Sequence, residues 1–207
     1  IGVGLVGSEM CIRDSMSIAE EETLLILGDS ISAGYGINKK DNWVFLMQQK
    51  FYEEGKSIKL VNSSVSGDTT GGGLGRLAKN LKKFNPDFVL IELGGNDALR
   101  GYSINLIKSN LEKMIALAKQ NKSKVLLMQI RIPPNYGQKY THAFEKIYVD
   151  LAQTEEVYLL PFMLEEIGIN SELMQPDGIH PNKKAQPQIA KEMKKNIDKF
   201  LLFNQSN

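Results

Sequence analysis

Short apolar runs alternate along the chain with longer stretches whose apolar residues recur every third or fourth position. The runs 23–28, 58–62, 88–93, 124–130 and 157–160 predict five strands, most of them apolar on both faces. A strand covered on both sides belongs in a parallel sheet sandwiched between helix layers, because the crossover helices bury each face. Helical stripes fill the intervals. Trp43, Met47 and Phe51 mark one, and Leu74, Leu77 and Leu81 mark a shorter one after the glycine-rich segment 71–75. Ile104, Ile107, Leu111, Met114, Ile115 and Ala118 form a third; Phe144, Ile147, Tyr148 and Leu151 a fourth; Ile189, Met193, Ile197, Phe200 and Leu201 the last. Strand and helix in alternation predict a doubly wound α/β/α sandwich of three layers with right-handed crossovers.

Composition narrows this picture without changing it. A chain of 207 residues with 42% apolar and 24% charged residues has enough apolar material for one core and is too apolar for disorder. One core accounts for all the helical stripes, so a monomer is expected. The 25 basic and 24 acidic side chains leave a formal net charge of +1, which gives no overall field toward nucleic acid or an anionic membrane. Cys11 stands alone, excluding an intramolecular disulfide and a thiolate metal cluster. No run of 18 apolar residues offers a transmembrane segment. Residues 1–22 differ from the rest: 1–7 are apolar but broken by glycine, and polar residues follow. We expect 1–22 to be a poorly ordered extension or an expression-vector remnant, with one domain over 23–207.

In a doubly wound sheet the loops at the carboxyl ends of the strands gather on one edge, where ligands bind. Three strands deliver small, hydrogen-bonding residues there: Gly28-Asp29-Ser30, then Ser63 to Thr69 including Gly67, then Gly94-Gly95-Asn96-Asp97. A fourth cluster, Asp177-Gly178-Ile179-His180-Pro181, precedes the last helix. Only two histidines exist, and His142 reads as a neutral surface or capping residue near a helix start. His180 lies three residues after Asp177 in a turn that Pro181 keeps out of regular helix. That turn lets a carboxylate accept the Nδ1 proton and leaves Nε2 for a nucleophile, although a local turn-stabilising pair would look the same. Ser30, directly after a buried strand, is the matching nucleophile; capping the following helix is its plainer role. The N–H groups of Ser30 and Gly67 and the Asn96 amide are candidate donors to an oxyanion, though Gly67 and Asn96 are also ordinary turn residues.

These four blocks, in this order, resemble the signature blocks of the SGNH or GDSL-type hydrolases over residues 23–202. Within the family, the stretches 24–30, 92–97 and 127–131, with Asn135-Tyr136-Gly137, are most similar to the bacterial thioesterases and lysophospholipases, also described as proteases and arylesterases. The resemblance implies a five-stranded parallel sheet in flavodoxin-like order and a Ser30, Asp177, His180 triad. It also implies an oxyanion hole of Ser30, Gly67 and Asn96, with Asp29 and Asp97 supporting their loops. The substrate would be a small-molecule ester or thioester cleaved through an acyl-enzyme, with no cofactor and no metal. It further implies a mobile loop at 98–103 that responds to the acyl chain. Family members are usually exported to the periplasm or secreted; residues 1–7 lack the basic leader and hydrophobic stretch of a secretory signal, so a cytoplasmic location is the alternative.

Leu99 and Tyr102 after the third block, with Ile130, Ile132, Pro133 and Pro134 at a strand end, are expected to contact an apolar acyl group. Core packing is the other reading of the same residues, and Pro134 stands where relatives usually have a smaller residue. A sugar or polysaccharide O-acetyl esterase of the same fold is the alternative activity. Three other classes fit less well. A flavin site could use Ser32, Ser66, Asp68 and Thr69, but there is no G-x-x-x-x-G-K-[ST] or G-x-G-x-x-G pattern. A metal phosphoesterase could use Asp29, Asp68, Asp97 and Asp177, but histidines are scarce. A binding module would leave the Ser30, His180 and Asp177 constellation without a use.

Overall fold

The sandwich follows from how the apolar runs are buried. In the computed structural model, which describes residues 21–205, the strands are β1 (Glu22–Gly28), β2 (Ile58–Asn62), β3 (Phe88–Glu92), β4 (Lys124–Met128) and β5 (Tyr158–Leu160). They form one sheet in the order β2-β1-β3-β4-β5 with every pairing parallel. Leu24, Leu25, Ile26 and Leu27 of β1, Phe88 to Ile91 of β3 and Val125 to Met128 of β4 are buried, as strands between two helix layers must be. β2 and β5 are the edges, and their residues are correspondingly half-buried or exposed at several positions.

The principal helices are α2 (Trp43–Glu53), α3 (Thr70–Phe84), α5 (Ile104–Gln120), α6 (Gln138–Thr154) and α7 (Gln186–Gln205). Two short ones, α1 (Ser30–Ala33) and α4 (Gly95–Leu99), follow β1 and β3 at the carboxyl edge. α2 packs on α7, whereas α3 packs on α5 and α5 on α6, which defines the two outer layers. Each turns the stripe read from the sequence inward: Trp43, Met47 and Phe51 on α2, and Ile107, Leu111, Met114, Ile115 and Ala118 on α5 are all buried. Full burial of one such side chain is worth about 1.5–3 kcal/mol, so the stripes, more than helix propensity, hold these helices in place.

Several expected boundaries shift, and β4 ends at Met128, two residues short of the expected 130. Residues 71–75 belong to α3 and do not precede it: Thr69 caps the helix by accepting the Gly72 N–H at 3.2 Å. Gly73 is small because α3 lies close on the sheet, and a Cβ there would stand 2.2 Å from Leu93 Cδ1. β3 ends at Glu92 because the Leu93 carbonyl accepts the Tyr148 hydroxyl at 2.9 Å instead of pairing with a strand. β5 begins at Tyr158, since the Val157 N–H closes onto Ala152 O at the end of α6. Glu22 already pairs with Ile58, one residue before the expected domain start. The expectation for residues 1–20 lies outside the described residues.

Candidate active site

The order β2-β1-β3 places the ends of those three strands side by side. Ser30 is the first residue of α1, immediately after β1, and is almost fully buried at 9% exposure. Its helix is capped by Asp29, whose Oδ1 accepts the Ile31 N–H at 3.0 Å, so the capping role considered for Ser30 falls to its neighbour. The Ser30 hydroxyl lies 2.9 Å from His180 Nε2, and His180 Nδ1 lies 2.7 Å from Asp177 Oδ2. Nδ1–H donating to the carboxylate leaves Nε2 as the acceptor of the serine proton.

The turn that carries this pair is braced by its backbone. Asp177 Oδ1 accepts the N–H groups of Ile179 and His180 at 2.9 and 3.0 Å. The His180 backbone bond, followed by the imidazole contact, holds the Asp177 carboxyl down to about 2. Gln175 ties the same turn to the nucleophile loop: its N–H donates to His180 O at 2.7 Å, and its Nε2 donates to Tyr35 O and Pro181 O. The Tyr35 ring lies 4.5 Å from the imidazole, centroid to centroid. His142 sits on an exposed position of α6.

Asn96, at the start of α4, donates one Nδ2 hydrogen to Asp29 Oδ2 at 3.0 Å. Among the described residues the backbone N–H groups of Ser30 and Gly67 have no acceptor. Arg100 Nη2 donates to Gly67 O at 3.2 Å, joining the loops that carry Gly67 and Asn96. Asp97 adds a second joint: its two oxygens accept the Thr70 N–H at 2.8 Å and the Thr70 hydroxyl at 2.6 Å. Burial pushes the Asp97 carboxyl upward while the Thr70 bonds oppose it. The acidic residues weighed as metal ligands are thus each engaged elsewhere, Asp68 with Arg76 at 2.7 Å included. Ser32, weighed for a phosphate loop, donates its hydroxyl to buried Glu92.

The acyl-contact candidates divide by exposure. Ile130 and Ile132 are buried core residues, with Ile130 packed beside the Gly95 turn, whereas Tyr102, Pro133 and Pro134 are exposed and Leu99 is half-buried. Cavities of about 1120 and 520 Å³ lie at the opposite end of the sheet near Glu22 and Asp87 and beside β2 near Leu60, away from His180. Glu92, Arg76, Tyr35 and Gln175 were missed as site residues by sequence reasoning. Only Glu92 carried a signal, being one acid in an otherwise apolar strand run.

Residues 26–186 match the model of the GDSL-like lipase/acylhydrolase family. The chain is 47% identical over 180 residues to an arylesterase of Vibrio mimicus, covering 87% of this chain and 90% of the relative. It is 46% identical over 179 residues to thioesterase 1/protease 1/lysophospholipase L1 of Escherichia coli K12, covering 86% of this chain and 85% of that one. In three dimensions it resembles the psychrotrophic esterase EstA of Pseudoalteromonas, solved in a form inhibited by monoethylphosphonate, with a TM-score of 0.86 and 42% identity over 87% of this chain and 98% of the other. The chain belongs to the GDSL-like lipase/acylhydrolase family, the SGNH hydrolases, and is a serine hydrolase of the esterase and thioesterase type.

Among the described residues, no helix is long and apolar enough to cross a membrane.

Proposed function

We propose that Ser30 is the nucleophile of this hydrolase, His180 its general base and acid, and Asp177 the carboxylate that orients and charge-balances the imidazole. The observation that carries the reading is the unbroken hydrogen-bond chain from Asp177 Oδ2 through His180 to Ser30 Oγ, with links of 2.7 and 2.9 Å. A serine hydroxyl needs such a base to attack a carbonyl. His180 takes the Ser30 proton as Oγ bonds to the acyl carbon, and the carbonyl oxygen becomes an oxyanion. The N–H groups of Ser30 and Gly67 and the free Nδ2 hydrogen of Asn96 stabilise that charge. His180 then protonates the departing thiol or alcohol. Water, deprotonated by His180 in turn, attacks the acyl-enzyme; collapse releases the acid and returns the proton to Ser30.

The acyl group lies toward Leu99, Tyr102, Ile130, Ile132, Pro133 and Pro134, and its preferred length exceeds acetyl. The protein works as a monomer, does not bind nucleic acid, and acts outside the cytoplasm, the location usual for this family. A serine-directed phosphonate tests the core of the reading. Native enzyme should lose all activity with one adduct on Ser30, and Ser30→Ala should fold yet lose several powers of ten in kcat. Complete inhibition with no adduct on Ser30, or parental turnover by Ser30→Ala, refutes it.

A further inference from the structure

Beneath the nucleophile turn lies an acid that the mechanism above does not use. Glu92 closes β3 opposite Gly28 of β1 and is only 3% exposed. A single oxygen, Oε2, accepts the Asp29 N–H at 3.3 Å and the Ser32 hydroxyl at 2.6 Å. These two residues flank Ser30 on either side along the chain. The approach is so close that a Cβ on Gly28 would stand 2.4 Å from that oxygen, which leaves room for glycine alone. Ser32 is held from its other end as well, its carbonyl accepting the Asn62 and Asn42 amides at 2.7 and 3.2 Å. Asp29, held by Glu92 through its backbone, holds the Asn96 amide through its side chain.

We propose that Glu92 is a positioning residue for ester cleavage: it fixes Asp29 and Ser32 on either side of Ser30 and, through Asp29, aims the Asn96 amide. The nucleophile and an oxyanion donor come from different loops, and the two bonds to Glu92 Oε2 with the Asp29 to Asn96 bond set their separation. This inference rests on Ser30 being the nucleophile.

The protonation of the pair follows from its surroundings. Burial pushes the Glu92 carboxyl well above the ordinary range, and the neighbouring Asp29 charge pushes it the same way. Burial also raises Asp29, to about 6, against the Ile31 N–H, the positive field of His180 and the Asn96 amide. Burial and the Asp29 charge thus both favour the neutral form of Glu92, while the donors around Asp29 favour the charge there. Glutamine is neutral and keeps a carbonyl oxygen that can accept at the position of Oε2.

The experiment compares Glu92→Gln, Glu92→Leu and Ser32→Ala in the full chain, with active sites counted by phosphonate titration so that misfolded protein does not enter kcat. Glu92→Leu should lower kcat by roughly 10- to 100-fold with KM little changed, the scale of a misplacement near 1 Å. Glu92→Gln should stay within about threefold of the parent, because the acceptor oxygen is retained. Ser32→Ala, which alters one hydroxyl and keeps the fold accessible if the leucine variant fails to fold, should lower kcat by roughly 3- to 10-fold. Parental kcat per titrated site in Glu92→Leu or in Ser32→Ala overturns the proposal and leaves Glu92 a strand staple. Equal loss in Glu92→Gln and Glu92→Leu also overturns it, since the acceptor oxygen would then be irrelevant. If the parent itself carries no phosphonate on Ser30, it is the nucleophile assignment beneath the inference that has failed.

Discussion

In the proposed mechanism Asn96→Ala removes one oxyanion donor and one clamp on Asp29 together, and the structure separates the two effects. Nδ2 carries two hydrogens; one is fixed on Asp29 Oδ2 at 3.0 Å, which sets the amide plane and leaves the other for the substrate oxygen. Loss of a comparable donor costs roughly 10²–10³ in kcat, or about 2.7–4 kcal/mol. The charge it meets develops only as the carbonyl becomes tetrahedral, so KM should hardly move. Asp29→Asn gauges the clamp alone. An amide at position 29 retains one acceptor oxygen for two facing donors, the Ile31 N–H and Asn96 Nδ2, so the Asn96 amide loses its fixed plane but not its donor. Its kcat should therefore fall, though by less than in Asn96→Ala. The assay is initial rates with a medium-chain aryl ester and the matching thioester, normalised to phosphonate-titrated sites. An Asn96→Ala effect confined to KM refutes transition-state donation, and a greater kcat loss in Asp29→Asn than in Asn96→Ala refutes the proposed line from Asp29 through Asn96.

Acyl thioesters and aryl esters of two to ten carbons should show kcat/KM rising to at least medium length, since four added methylenes at about 0.8 kcal/mol each offer about 3 kcal/mol before ordering losses. Acetyl proving best with both leaving groups would instead favour a sugar or polysaccharide O-acetyl esterase. Asp177, held down to about 2, contributes stability present above its ordinary value of 3.8 and lost as pH falls through about 2. The difference in denaturant stability between the parent and Asp177→Asn should accordingly be flat above pH 5 and shrink steadily below about pH 4; a difference that grows on acidification contradicts the sign. Tyr35→Ala removes the ring 4.5 Å from the imidazole. With such pairs worth about 0.5–1.5 kcal/mol, kcat/KM should drop by roughly 2- to 10-fold, and parental values from pH 6 to 9 would show that the ring contributes nothing to His180.

The strands and stripes were readable because burial on both faces demands uninterrupted apolar runs, as in 24–27 and 88–91. Their ends were less so. Whether Leu93 or Val157 belongs to a strand depends on a tyrosine hydroxyl from α6 and a helix-end carbonyl, neither of which has a local signature. Glycines 71–73 read as a loop because their reason, contact with Leu93 and Asp68, lies elsewhere in the chain or in side-chain direction. At the site, the meeting of Ser30, Asp177 and His180 was legible from residue type and position relative to strand ends, since so few histidines were available. Glu92 was less so, because a lone acid within the apolar run 88–93 stands out without showing what it binds. Its burial depends on β1 and β3 being neighbours despite the strand between them in sequence.

That neighbourhood makes the sheet a ruler. Ser30, Gly67 and Asn96 follow three adjacent strands, and adjacent strands stand about 4.8 Å apart whatever side chains they carry. The spacing of the three proposed oxyanion donors is thus inherited from backbone pairing. Core residues can be exchanged in evolution for others of similar volume without disturbing it. A one-residue slip of β3 against β1 is another matter, since it would carry Asn96 about 3.3 Å along the strand and turn Glu92 to the opposite face. Lineages of this enzyme should accordingly drift freely in sequence along these strands while keeping the pairing of Gly28 with Glu92 in register, and insertions should collect beyond the loops that end the ruler.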